Sequence, residues 1–145
     1  MHIRPPTHED RPAWDALWRD YLAFYETTLP PEIFEAQWAR LMSDDDTTMR
    51  GLLLEVDGAP RGLVHYHFHV HGWKLTRVCY LQDLFVSPDL RGTGAGRALI
   101  EAVYARADAH GCPDVYWMTQ EHNDVARRLY DRIGKCTPFI KYQRA

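Results

Sequence analysis

The chain has 145 residues, of which 46% are hydrophobic and 26% are charged, an ordinary globular composition that excludes disorder as its main state. It carries 17 lysines and arginines against 20 acidic residues, and the net charge of −3 argues against a basic nucleic-acid-binding face. Because no apolar run approaches the ~20 residues of a membrane-spanning helix, we also expect no membrane partner.

The length predicts one domain over residues 1–145, since single cores usually serve chains of about 100–200 residues. The first residues lack the apolar centre of a signal peptide, so we expect a cytoplasmic protein.

The first half of the chain predicts a strand, two helices and an antiparallel meander. Met1 to Arg4 predicts a short strand, and apolar residues at three- and four-residue spacing predict a helix from Arg11 to Tyr25. Pro31 suits the start of a second helix, which closes into a loop at residues 44–46. Asp57-Gly58 is a hairpin signal between strands. The predicted strands are residues 51–56, 61–71 and 77–86.

The second half predicts alternating helices and strands. A helix runs from Ala95 to His110 and ends at Gly111, as helices often do. The remaining predicted elements are a strand at 114–119, a helix at 123–133 and a last strand at 139–142. Together with the meander they predict an α/β (α+β) fold, in which a mixed, mostly antiparallel sheet is flanked by about four helices.

A glycine-rich loop between the strand at 77–86 and the next helix is the strongest chemical signal. Its residues are Arg91, Gly92, Thr93, Gly94, Ala95, Gly96 and Arg97. Glycines let backbone N–H groups approach a ligand closely, and a helix start offers unpaired N–H donors to an anion. The arginines would add charge-assisted contacts. The pattern favours a diphosphate, although a tight turn that merely needs glycine would look the same.

This loop resembles the (R/Q)-x-x-G-x-(G/A) acetyl-CoA signature of the GCN5-related N-acetyltransferase superfamily. The segment Asn123–Tyr130 resembles the second motif of that superfamily, N-x-x-A-x-x-x-Y, and the order of predicted elements is similar over essentially the whole chain. Residues 80–86 and 139–142 are most similar to the yeast histone and polyamine acetyltransferases and their bacterial relatives. The resemblance implies acetyl transfer from acetyl-CoA to a primary amine in one ternary complex. We expect no metal, for the reason given below for the histidines.

The resemblance also implies which residues hold acetyl-CoA. The pantetheine arm would pair with backbone beside Leu84, Phe85 and Val86, and the diphosphate would lie on the N–H groups of Arg91–Arg97. An N–H near Leu84 or Phe85 would polarise the thioester carbonyl. Asn123 would contact the cofactor, cap its helix, or do both.

Tyr130 is our candidate for the acid that protonates the departing CoA thiolate, and also for a cofactor contact. The resemblance carries this role, since the residues alone favour a packed aromatic ring on an amphipathic helix.

The acceptor amine is an ammonium ion at neutral pH, so a group must remove its proton. Similar polyamine acetyltransferases carry Glu where Gln82 stands, and glutamine cannot act as a base. Asp83 is our candidate, although a regular strand would turn it to the other face of the sheet unless a bulge re-aims it. The alternatives are Glu121, a water chain, or a purely structural role for Asp83.

Four histidines, His65, His67, His69 and His71, alternate along one predicted strand and would share a face. Successive residues on one face are about 6.5–7 Å apart, so a metal would need ligands from other elements. We favour a polar face near the substrate, where one histidine could relay a proton. Tyr25, Glu26 and the Leu29–Pro31 loop lie where the resemblance places the amine pocket.

We therefore expect an N-acetyltransferase whose acceptor is a small polyamine-like amine or a lysine side chain. A non-catalytic acetyl-CoA-binding sensor is the alternative. The resemblance further suggests a homodimer that pairs through the C-terminal strand, within residues 138–143.

Overall fold

The computed structural model describes residues 1–45 and 47–145; Asp46, expected in the loop after the second helix, lies outside the described residues. The strands are β1 His2–Arg4, β2 Arg50–Val56, β3 Ala59–His69, β4 Val78–Val86 and β5 Val115–Tyr116. The helices are α1 Arg11–Phe24, α2 Pro31–Met42, α3 Ala95–Ala109 and α4 Asp124–Ile133. The predicted helices are confirmed with nearly the same ends.

The strands form one mixed sheet in the order β1-β2-β3-β4-β5. The first four strands are antiparallel neighbours, whereas β5 pairs with β4 in parallel. The parallel pair follows from the α3 crossover, because a helix between two strands of one sheet returns the chain in the same direction. The expected mixed, mostly antiparallel sheet is confirmed.

Helices cover both faces of the sheet. On one face, α3 buries Leu99, Ile100 and Val103 against the strands, and α4 packs Leu129 and Ile133 beside it. On the other face, α1 and α2 bury an aromatic cluster against the sheet; its core contains Trp14, Trp18, Phe34 and Trp38. Within the described ranges, none of the helices is long and apolar enough to cross a membrane.

The turn between β2 and β3 follows the sequence signal. Asp57 and Gly58 both adopt positive φ, 52° and 78°, as the favoured two-residue hairpin turn requires. The backbone twist of this turn matches that of the flanking strands and lets β2 and β3 pair.

A β-bulge interrupts β4 near its centre. His65 lies opposite Asp83 but the next residue, Tyr66, lies opposite Leu81, so Gln82 is an extra residue in β4. An extra residue reverses the alternation of side chains between the two faces. Leu81 and Leu84 therefore both pack with the α3 core, and Asp83 does not.

The predicted last strand is wrong for the isolated chain, because residues 139–142 form no strand. Phe139, Ile140 and Tyr142 are 78%, 77% and 89% exposed. A strand needs a neighbour for its backbone hydrogen bonds, and the sheet offers this segment none. The predicted strand at 114–119 is confirmed only at Val115–Tyr116.

Candidate active site

A groove opens where β4 and β5 separate. The two strands pair only at Cys79–Val115 and Tyr80–Tyr116, so beyond Tyr80 this edge of β4 has no strand beside it. The space measures about 330 Å³ including its opening to solvent. We call it the β4–β5 groove; it is lined by Tyr21, Tyr25, Leu81, Gln82, Leu84, Ile100, Trp117, Met118 and Tyr130.

The register of β4 decides which backbone groups face this groove. The N–H of Ser87 donates to the carbonyl of Arg61, 2.8 Å away, so Ser87 directs its backbone groups toward β3. Successive residues of an antiparallel strand direct their backbone N–H and C=O groups to opposite sides of the strand. Phe85 therefore also points toward β3, whereas Leu84 and Val86 point into the groove. Of the two N–H groups considered for the thioester carbonyl, only that of Leu84 has this direction.

The glycine-rich loop lies between the end of β4 and the start of α3. Gly92 and Gly94 adopt φ of 81° and 87°, which residues with a Cβ rarely adopt, and a Cβ on either would meet nothing within 4 Å. Gly94 is the N-cap of α3, and its carbonyl accepts the first helical hydrogen bond, from Ala98. The N–H groups of Ala95–Arg97 precede that bond and so lack partners within the helix. This open, donor-rich turn fits a diphosphate.

The polar side chains of the glycine-rich loop each contact a different group. Arg91 is exposed, and its guanidinium lies 5.6 Å from the ring centre of Phe24 at the end of α1. Arg97 pairs with Glu101 one turn further along α3, at 2.8 Å. Thr93 donates its hydroxyl to the carbonyl of Leu90, 2.5 Å away, and so tightens the turn. Arg91 therefore places an exposed positive charge beside the loop.

Tyr130 faces the groove from α4. Its ring packs edge-on against Trp117, 5.5 Å between centres. Burial, and to a lesser degree the nearby Tyr25, raises the pKa of Tyr130, so its phenol holds a proton at neutral pH. Asn123 caps α4 by accepting a hydrogen bond from the N–H of Ala126 at 3.4 Å. The capping role of Asn123 is confirmed, and its contact with a cofactor stays a prediction.

The bulge directs Asp83 toward α1 rather than into the groove. Its carboxylate accepts a hydrogen bond from His65 at 2.8 Å, and its side chain is 12% exposed. Gln82, the extra residue, is exposed and lines the groove. Glu121 is exposed in the loop before α4, and it is not among the lining residues.

Three tyrosines surround Asp83, and sequence reasoning placed only Tyr25 near a substrate. Burial and then the negative charge of Asp83 raise the pKa of Tyr21, Tyr25 and Tyr80. Tyr21 and Tyr25 lie one turn apart at the end of α1, with ring centres 5.2 Å apart. Their four-residue spacing was a usable signal, but it also fits a helix face packed in the core.

The histidines divide into separate environments. His65 is buried in the aromatic cluster, His67 packs against Tyr80, and His69 hydrogen-bonds the Tyr116 hydroxyl at 2.7 Å. His71 lies beyond the end of β3 and accepts a hydrogen bond from the Trp73 N–H, so its expected place on the strand face is wrong. Over residues 1–45 and 47–145, no three histidine, cysteine or acidic side chains are grouped to hold a metal ion.

The sequence of this chain matches a known protein family. A sequence profile described as "Acetyltransferase (GNAT) family" matches residues 12–134, which includes both motifs and every strand of the groove. The chain belongs to the acetyltransferase (GNAT) family. The predicted resemblance is therefore confirmed.

Relatives in this family support the activity. The D-amino-acid N-acetyltransferase HPA3 of Saccharomyces cerevisiae is 36% identical over 137 residues, covering 94% of this chain and 85% of the yeast protein. The thialysine N-epsilon-acetyltransferase of Bos taurus is 32% identical over 87 residues, covering 57% of this chain and 51% of the bovine one. This GNAT protein is an N-acetyltransferase, and its relatives do not favour the non-catalytic sensor.

The fold of this GNAT protein also matches a solved structure of the family. The structure of AAC(6')-Iy in complex with a bisubstrate analogue built on CoA has a TM-score of 0.84 and 20% sequence identity. The match covers 99% of this chain and 97% of the other. At this identity the likeness establishes the fold.

Proposed function

We propose that the protein transfers acetyl from acetyl-CoA to the primary amine of a small molecule or a lysine side chain, by direct attack in a ternary complex. One observation carries the proposal. The open edge of β4 shares the groove with the protonated phenol of Tyr130, and the chain leads from the end of β4 into the donor-rich turn at Gly94. Residues 1–145 would form one acetyltransferase domain around this groove.

The residues of the groove fit acetyl-CoA, which supplies the acetyl thioester when bound. The N–H groups of residues 91–97 and the charge of Arg91 would hold the diphosphate. The backbone of Leu84 and Val86 would pair with the amides of the pantetheine arm, as a neighbouring strand would. The N–H of Leu84 would polarise the thioester carbonyl. Tyr130 would donate its proton to the departing thiolate.

The surroundings of Asp83 suit an acetyl-accepting amine that binds as an ammonium ion. A carboxylate attracts the cation, and the hydroxyl groups of Tyr21, Tyr25 and Tyr80 lie near enough to feel the charge of Asp83. The relatives named above act on D-amino acids and on thialysine, both of which carry amines. We propose that Asp83 attracts the acceptor ammonium and takes its proton through an intervening hydroxyl or water, because its carboxylate points toward α1 and does not line the groove.

A thiol-release assay tests this proposal. Purified protein and acetyl-CoA are mixed with one amine in each sample, and an amine-free sample is the control. The amines are spermidine, spermine, lysine, thialysine, D-amino acids, lysine-containing peptides and aminoglycosides. We expect one amine class to release CoA at least about 100-fold faster than the control, since positioning alone can supply such factors. Tight CoA binding without release on any amine would contradict the proposal and favour a sensor.

We further propose a cytoplasmic homodimer that pairs through residues 138–143. Phe139, Ile140 and Tyr142 are exposed in the single chain, and a second copy would give this segment the partner that the sheet lacks. We expect Ile140→Asp to convert a dimer to a monomer in light scattering after size exclusion. The control is Leu75→Asp, at a fully exposed apolar residue between β3 and β4. A monomeric parent protein, or a dimer that Ile140→Asp leaves intact, would contradict this proposal.

A further inference from the structure

A chain of buried polar groups leads from the aromatic cluster to Asp83. The indole N–H of Trp14 donates to Nε2 of His65 at 2.9 Å, and Nδ1 of His65 lies 2.8 Å from Oδ2 of Asp83. Trp14 and His65 are each 1% exposed. Buried polar groups in a hydrophobic cluster are costly, so two of them in series that lead to the partly buried Asp83 need a reason beyond packing.

The first hydrogen bond decides the tautomer of His65. An indole nitrogen can only donate, so Nε2 of His65 must be unprotonated to accept from Trp14. The proton of the neutral ring therefore sits on Nδ1 and is donated to Asp83. Protonating Nε2 would bring two N–H groups against each other in a dry site. Trp14 thus holds His65 as a donor directed at the carboxylate.

Tyr21 connects this chain to the β4–β5 groove. It lines the groove, and burial and then the negative charge of Asp83 raise the pKa of Tyr21. A phenol that keeps its proton can donate to Asp83 while its oxygen accepts from a third group. The other titratable groups that face Asp83 are Tyr25 from the end of α1 and Tyr80 from β4.

We propose, on the basis of the function proposed above, that Trp14 and His65 are positioning residues that hold Asp83 as the proton acceptor for the substrate amine. In the proton transfer, an N–H bond of the ammonium breaks and its proton passes to the Tyr21 oxygen as the Tyr21 proton passes to Asp83. Tyr21 is unchanged, Asp83 becomes a carboxylic acid, and the freed amine lone pair attacks the thioester carbonyl.

The first test reads the tautomer without any assay of activity. Nitrogen-15 NMR of the labelled wild-type protein, with His65 assigned by comparison with His65→Asn, reports which ring nitrogen carries the proton. We expect a protonated Nδ1 and a bare Nε2. A proton on Nε2 overturns the proposal even if acetyl transfer is rapid, whereas a wild-type protein without acetyl transfer overturns the proposed function instead.

The second test uses two tryptophans that lie side by side. Trp14→Phe removes the donor to His65, whereas Trp18→Phe removes an indole N–H that is buried without a hydrogen-bond partner among the described residues. The two rings stack with centres 5.1 Å apart, so the packing changes are matched. We expect Trp14→Phe to lower kcat about 10-fold and Trp18→Phe less than about 2-fold, with the KM for acetyl-CoA unchanged in both.

The pH dependence separates positioning from a structural defect. Raising the pH increases the fraction of the substrate amine that is already neutral in solution. The loss of kcat in Trp14→Phe relative to wild type should therefore shrink as the pH approaches the pKa of the amine substrate. His65→Asn, whose amide can still donate to Asp83, should retain more activity than His65→Phe. Equal losses in the two tryptophan variants, or a deficit that does not change with pH, would overturn the proposal.

Discussion

Replacing Tyr130 by phenylalanine is expected to lower kcat about 100-fold while the Kd of CoA changes less than about 2-fold, because the lost hydroxyl acts on the leaving thiolate. The ring still packs against Trp117, so the groove keeps its shape. The raised pKa of Tyr130 means that its phenol is protonated over the neutral range and is ready to donate. Steady-state thiol release and calorimetric titration with CoA measure the two quantities separately.

Tyr104→Phe is the matched control. The Tyr104 hydroxyl donates to the carbonyl of Ile133 at 2.9 Å, and its ring also packs beside Trp117. Its loss should reduce the free energy of unfolding by about 1 kcal/mol without a comparable fall in kcat. Equal losses of turnover and CoA affinity in Tyr130→Phe would show that Tyr130 is only a cofactor contact.

Replacing Gly94 by glutamate is expected to weaken CoA binding about 100-fold or more. Gly94 caps α3, and its missing side chain faces open space beside the N–H groups of the turn. A carboxylate about 6 Å from one phosphate charge, at an effective dielectric constant of about 20, repels it by about 3 kcal/mol. Added bulk would also block the approach of the diphosphate. Calorimetric titration with CoA on the folded variant measures the effect.

Two controls separate charge from backbone strain. Gly94→Ala imposes the positive-φ strain, about 1–2 kcal/mol, without the charge. Gly58→Glu adds the same side chain at a similar φ of 78° in the hairpin between β2 and β3, also facing open space. Both controls should bind CoA far better than Gly94→Glu. An unchanged CoA affinity in folded Gly94→Glu would refute the diphosphate position.

Local features of the fold were predictable because neighbouring residues decide them. Apolar spacing predicted α1, Asn123 predicted the cap of α4, and Asp57-Gly58 predicted the hairpin. The glycine-rich loop likewise forms a tight turn, in which Gly92 and Gly94 adopt positive φ angles. These outcomes depend on backbone sterics and short-range hydrogen bonds, which a few consecutive residues determine.

The direction of Asp83 was not predictable, because the register between β3 and β4 decides it. A strand pattern cannot reveal that Gln82 is an extra residue, since the bulge exists only relative to Tyr66 and His65 across the ladder. The same holds for the partners of Asp83. In the sequence, Trp14 and Tyr21 both fit one apolar face of a helix. Only their packing on β3 and β4 shows that Trp14 is a hydrogen-bond donor in the core and that Tyr21 lies at the groove.

The sequence by itself determined the helices, the hairpin, the glycine-rich turn and, through its two motifs, the acetyltransferase family. The tertiary structure alone decided that β4 and β5 separate after Tyr80, that Leu84 rather than Phe85 directs its N–H into the groove, and that residues 139–142 have no strand partner. The physical reason is that strand pairing and burial are contacts between residues far apart in the chain. Their energy depends on what lies opposite, which no local pattern contains.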